Sequence, residues 1–139
     1  MRIHLSVAIL IYACSCNGLS RPNEKHFNDP RDSFVSIIRL ISMGNRYDGH
    51  VVQVRGYLHI EFEGNALFLT EEHFVHGLTK NAIWVDFPES MTGYMEHISG
   101  EYVIITGVYK VCAGGHGGHM GLYSGEISIN SSNDVCAVK

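Results

Sequence analysis

Two stretches of two-residue alternation, each with a glycine at its centre, constrain the fold of this chain more than any other feature. In the first, Val52, Val54, Gly56, Leu58, Ile60 and Phe62 fall on one face and Gln53, Arg55, His59 and Glu61 on the other. A period of two is the signature of a strand with one dry and one wet face. The second stretch runs from Glu101 to Val111, and its Ile105-Thr106-Gly107-Val108-Tyr109 parallels Val54-Arg55-Gly56-Tyr57-Leu58. A glycine inside a strand weakens it and marks a bulge, a sharp coil or a close backbone approach, as strands that curl round a small barrel require.

The remaining elements fit around these two. Glu63-Gly64-Asn65 predicts a hairpin turn into a strand over Ala66 to Thr70. Residues 71 to 81 read as a polar loop or short helical turn, Ala82 to Phe87 as a third strand ended by Pro88, and Ser90 to Ser99 as a weak helix or loop. After the second glycine-centred strand, the glycine-rich Ala113 to Gly121 leads to a fifth strand over Leu122 to Ile129. Upstream, Asp29-Pro30-Arg31-Asp32 supplies an N-cap carboxylate, a proline at the first helical position and a second acid near the helix N-terminus. Phe34, Ile37, Ile38 and Ile41 follow at helical spacing up to Gly44, which predicts an amphipathic helix of about 13 residues. The order predicts a mainly β fold, a small five-stranded OB-like barrel with an added N-terminal helix, occupying residues 29–139. An SH3-like barrel is the rival. A chain of 139 residues with 45% hydrophobic content suits one such domain.

The N-terminal segment reads as an export signal. Met1-Arg2 is positive, and Ile3 to Tyr12 is mostly apolar but too short for a permanent membrane span. Ile11-Tyr12-Ala13-Cys14 resembles a bacterial lipobox, in which Cys14 is diacylated and becomes the mature N-terminus, although Tyr12 is bulky where a small residue is usual. Cleavage near Cys16 or Gly18 and an uncleaved anchor are the alternatives. Residues 1–13 are then a signal peptide and 14–28 a flexible tether, rich in Ser, Asn, Gly and Arg with too few apolar anchors to offset ordering. Export also leaves Cys112 and Cys136 as the cysteines of the folded part, an even count that predicts one disulfide in an oxidising compartment, with two buried free thiols as the alternative.

Several phrases carry a resemblance. Tyr47-Asp48-Gly49, Leu58-His59-Ile60-Glu61-Phe62-Glu63-Gly64-Asn65-Ala66-Leu67, His76-Gly77-Leu78-Thr79-Lys80-Asn81 and Gly118-His119-Met120-Gly121-Leu122-Tyr123-Ser124-Gly125 together resemble a group of small exported bacterial proteins of uncharacterised function. The pattern of the two glycine-centred strands is similar, in architecture, to periplasmic bacterial OB-fold modules, and that likeness implies binding of small ligands or partner proteins. Fold alone does not assign a function.

Three groups of residues are candidates for chemistry. His73/His76 and His116/His119 have two-residue spacers, so a zinc or copper ion on all four is conceivable, with Glu71 or Glu72 nearby; the plainer reading is loop histidines bonded to backbone. Tyr57 and Tyr109, together with Trp84, form a candidate ligand platform of the stacking kind found on OB barrels. Glu61 and Glu63 with Lys80 suggest a carboxylate pair, although strand residues two apart are commonly a solvated face. Ten Lys and Arg against fourteen Asp and Glu give a net charge of −4 and argue against a nucleic-acid partner. The expectation is an exported, lipid-anchored, non-enzymatic binding or accessory module on the periplasmic face of a bacterial membrane. Its partner would be an envelope protein or a small ligand. The alternative is a metal-binding protein using the loop histidines.

Overall fold

The computed structural model describes residues 34–112, 114 and 117–138. The expected signal peptide over 1–13, the expected lipidation at Cys14, the expected tether over 14–28, the expected helix start at Asp29 and His116 lie outside the described residues. The elements are β1 (Phe34–Val35), α1 (Ile37–Ser42), β2 (Val51–His59), β3 (Ala66–Phe68), α2 (Glu71–Val75), β4 (Ala82–Asp86), α3 (Thr92–His97), β5 (Tyr102–Lys110), β6 (Glu126–Ser128) and β7 (Val135–Ala137).

The sheet runs β2-β3-β4-β6-β5 and closes on itself because β5 also pairs with β2, from Val51 opposite Val108 to Tyr57 opposite Tyr102. All neighbours in this five-stranded barrel are antiparallel except β4 and β6. A three-strand meander, a helical connection, and two strands that return to close the barrel make the predicted OB-like architecture.

The glycines explain how so few strands close. A Cβ on Gly56 would meet the Phe68 carbonyl oxygen at 2.5 Å, and one on Gly107 the Ser128 carbonyl oxygen at 2.5 Å. Each long strand therefore carries its glycine where the backbone of a second neighbour crosses close to it. On β5 the alternation is unbroken: Val103, Ile105, Gly107 and Tyr109 are buried, and the residues between them are partly exposed. On β2 it breaks at Gly56-Tyr57-Leu58, all buried, because the outer face is also covered there. Val52, Val54, Leu58, Leu67, Ile83, Val85, Ile105 and Ile127 fill the barrel, joined by Ile37 and Leu40 of α1 and Met95 of α3.

Several expectations are corrected. The described helix α1 begins at Ile37: Phe34 and Val35 are extended and pair in parallel with Gln53 and Val54, and Ser36 caps α1, its Oγ accepting from the Arg39 N–H at 3.2 Å. Strand pairing on the edge of β2 and a serine cap override the helical spacing of Phe34. Ile38 then points outward, 62% exposed. Phe62, expected on the inward face, is 94% exposed, because β2 ends at His59 and Glu63 turns the chain through a left-handed φ of 68°. Cys112 and Cys136 are both free thiols. Cys136 lies on β7 opposite Ile104, whereas Cys112 follows the far end of β5, with roughly 20 Å of extended strand between Ile104 and Lys110. No side-chain rotation bridges that distance.

Candidate ligand-binding face

Because the inward positions of β2, β3 and β4 fill the barrel, their alternate residues form an outer face, and this face is aromatic. Tyr57, Phe68 and Tyr123 are buried there with Ala66 and Ala82, and Phe74 and Trp84 pack against them. Thr70 caps α2 through its side chain and sends the helix back across the face. Phe74 then lies between His59, stacked at 3.7 Å, Phe68 at 5.5 Å and Tyr57 at 6.0 Å between ring centroids. Tyr102 meets Tyr57 edge-on at 5.6 Å, and its hydroxyl accepts from the Glu71 N–H. Edge-on and offset arrangements of this kind are the favourable ones for aromatic rings.

The other half of the face belongs to Trp84, whose strand position puts it between Ala66 of β3 and Glu126 of β6. Tyr123 packs beside it at 5.4 Å. Gly117 and Tyr123 exchange backbone hydrogen bonds of 2.7 and 3.1 Å, folding the β5–β6 connection into a loop over the indole. Gly118 makes that approach possible: it has a φ of 63°, and a Cβ there would fall 2.5 Å from the ring.

Polar contacts tie the β5–β6 loop to its surroundings. The His119 Nε2 lies 3.2 Å from Glu63 Oε2 in the β2–β3 turn, Lys80 Nζ donates to the Gly121 carbonyl at 2.9 Å, and the Ser124 hydroxyl donates to the Lys80 carbonyl at 2.6 Å. A second histidine–carboxylate pair joins His59 to Glu61 at 3.6 Å. Burial, reinforced by the Glu61 carboxylate, pushes the Tyr123 phenol above its ordinary value, and burial with Glu71 does the same for Tyr57.

The structure thus brings together two of the three expected platform residues. Tyr57 and Trp84 belong to the outer cluster, but Tyr109 is wholly buried inside the barrel, where its hydroxyl donates to the Leu40 carbonyl. Its place in the platform is withdrawn. Glu61 and Glu63 are separately paired with histidines. Of the proposed metal ligands, His73 is engaged through Nδ1 with Thr70 Oγ1 at 2.9 Å, His76 is exposed at the end of α2, and His119 faces Glu63. Among the described residues no three His, Cys, Asp or Glu side chains are grouped to hold one ion. Phe68, Phe74 and Tyr123 are members of the face that the sequence reading missed: Phe74 lies on the short helix α2, and Tyr123, expected within the fifth strand, precedes β6, which begins at Glu126.

Comparison with family models, curated proteins and solved structures returns no match for this chain.

Proposed function

We propose that this chain is an exported, lipid-anchored, non-enzymatic binding or accessory module of the bacterial envelope, and that it binds through the outer face around Trp84. The observation that carries this reading is the meeting of the β2–β3 turn and the β5–β6 loop, Glu63 to His119, beside Trp84 and Tyr123. In OB barrels the outer face of the meander, framed by the corresponding two loops, is where ligands bind. Aromatic rings beside carboxylates and an imidazole suit a hydroxyl-rich ligand with apolar ring faces, such as an oligosaccharide. The excess of acidic groups disfavours a polyanion such as nucleic acid.

Trp84 is the single tryptophan, so its fluorescence reports on the face directly. Titration of the purified domain with a panel of neutral oligosaccharides should give a saturable emission change, and a short single-stranded oligonucleotide should give none. Flat responses across the saccharide panel would overturn the reading. Zinc and copper titration with elemental analysis separates it from the alternative use of His73, His76, His116 and His119 as a metal site. Mass spectrometry of the membrane fraction tests the anchor: acylated Cys14 supports it, and an unmodified chain starting after residue 16 refutes it.

A further inference from the structure

The β5–β6 loop that frames the face also occupies it. Between the paired Gly117 and Tyr123, Gly118 lies so close to Trp84 that a Cβ there would fall 2.5 Å from the indole. Met120 is 81% exposed, so it adds little to the loop's hold on the barrel, and Leu122, 42% exposed, is only partly covered. The polar ties described above, His119 to Glu63 and Lys80 to the Gly121 carbonyl, are open to water. The His119 and Glu63 side chains are 36% and 53% exposed, a setting in which an ion pair contributes about 0–1 kcal/mol.

Strain is stored at the same place. Among the described residues, the two non-glycine residues with left-handed backbone are Glu63, which bears the carboxylate of that pair, and Met120, which follows its histidine. Their φ angles are 68° and 54°, a region that L-residues with side chains occupy at a cost. Few apolar contacts, exposed polar ties and strained backbone are together the signature of a segment that opens locally before the fold does.

We propose that residues Gly118–Leu122 are a self-occluding cover, latched by Glu63 and His119 and hinged at the Gly117–Tyr123 bridge, which must lift for a ligand to stack on Trp84. The proposal rests on the binding reading above for its purpose, but its mechanics are independent of any ligand. In the closed state the Gly118 backbone fills the place of a ligand against the indole. Gly121, with a φ of 66°, and Gly118 give the loop its left-handed turns, while Tyr123, 4% exposed, stays with the barrel.

The test uses acrylamide quenching of Trp84 in the ligand-free protein. His119→Ala and Glu63→Gln, which release the latch, should each raise the quenching constant about twofold with the far-UV circular dichroism unchanged. Gly118→Val, which places a branched side chain against the indole at a left-handed φ, should raise it further. Should that variant fail to fold, the two latch variants decide the matter. Native-state hydrogen exchange of the wild-type chain gives a second measure: the amides of Gly121 and Leu122 should exchange through a local opening well below the global unfolding free energy. Quenching unchanged in both latch variants, or loop protection equal to that of β4, would overturn the cover. Wild-type protein whose loop amides exchange through local opening but whose Trp84 emission is unmoved by every saccharide would overturn the binding reading and leave the cover standing.

Discussion

The Tyr109 hydroxyl, buried at the end of β5, donates to the backbone carbonyl of Leu40 at 3.1 Å and so ties the barrel wall to α1. Both residues are 0% exposed. Tyr109→Phe keeps the ring and removes the donor, leaving the Leu40 carbonyl unsatisfied. The expected loss is about 1–3 kcal/mol, read as a lowered midpoint in urea unfolding with an unchanged slope.

The same burial gives the domain an alkaline limit. Desolvation, aided by Cys112 and Asp48, pushes the Tyr109 phenol from its ordinary value of 10.0 up to about 12. Between those values the folded protein retains a proton that the unfolded chain has released. Its contribution to stability is therefore complete below pH 10 and is lost as pH rises toward 12. Ultraviolet titration of phenolate at 295 nm should show one tyrosine ionising last, together with unfolding. Tyr109→Phe should remove that late step.

Glycine substitutions should divide by location. Gly56→Ala and Gly107→Ala drive a methyl group into a backbone carbonyl at 2.5 Å, which cannot move without parting two strands. Each should cost about 1–3 kcal/mol or more. Gly93, inside α3, has nothing within 4 Å of its would-be Cβ. Gly93→Ala should stabilise by about 0.5–1 kcal/mol, because alanine gives up less backbone entropy in a helix. Thermal melts of the three variants check this, and a destabilised Gly93→Ala would contradict the helical environment described for it.

The barrel was legible in the sequence because period-two burial and a mid-strand glycine are local consequences of strand curvature, and both survive in the residue order. The platform was legible only in part, and parity explains the error. Tyr57 follows Gly56 by one residue and Tyr109 follows Gly107 by two, so when both glycines face the core the first tyrosine points out and the second points in. That signal was present in the numbering. β1 and β7 carried none: Phe34–Val35 and Val135–Ala137 are too short for periodicity and become strands only because β2 and β5 offer them open edges. The covered state of the face was equally invisible, since it depends on Gly118, His119 and Glu63 meeting across a long stretch of sequence.

The two free cysteines among the described residues should differ sharply in reactivity. Cys136 is exposed on β7. Cys112 is half-buried, and burial, with Glu126 and Asp48 outweighing Lys110, pushes its thiol above the ordinary range. The thiolate is the reactive form, so at pH 8 Cys112 presents less of it and presents it behind more protein. Iodoacetamide followed by peptide mapping should modify Cys136 first and Cys112 slowly. The roughly 20 Å of strand between Ile104 and Lys110 also predicts that mild oxidation yields no Cys112–Cys136 bridge. A mapped Cys112–Cys136 cross-link in folded protein would require β7 to leave Ile104, and would refute that pairing.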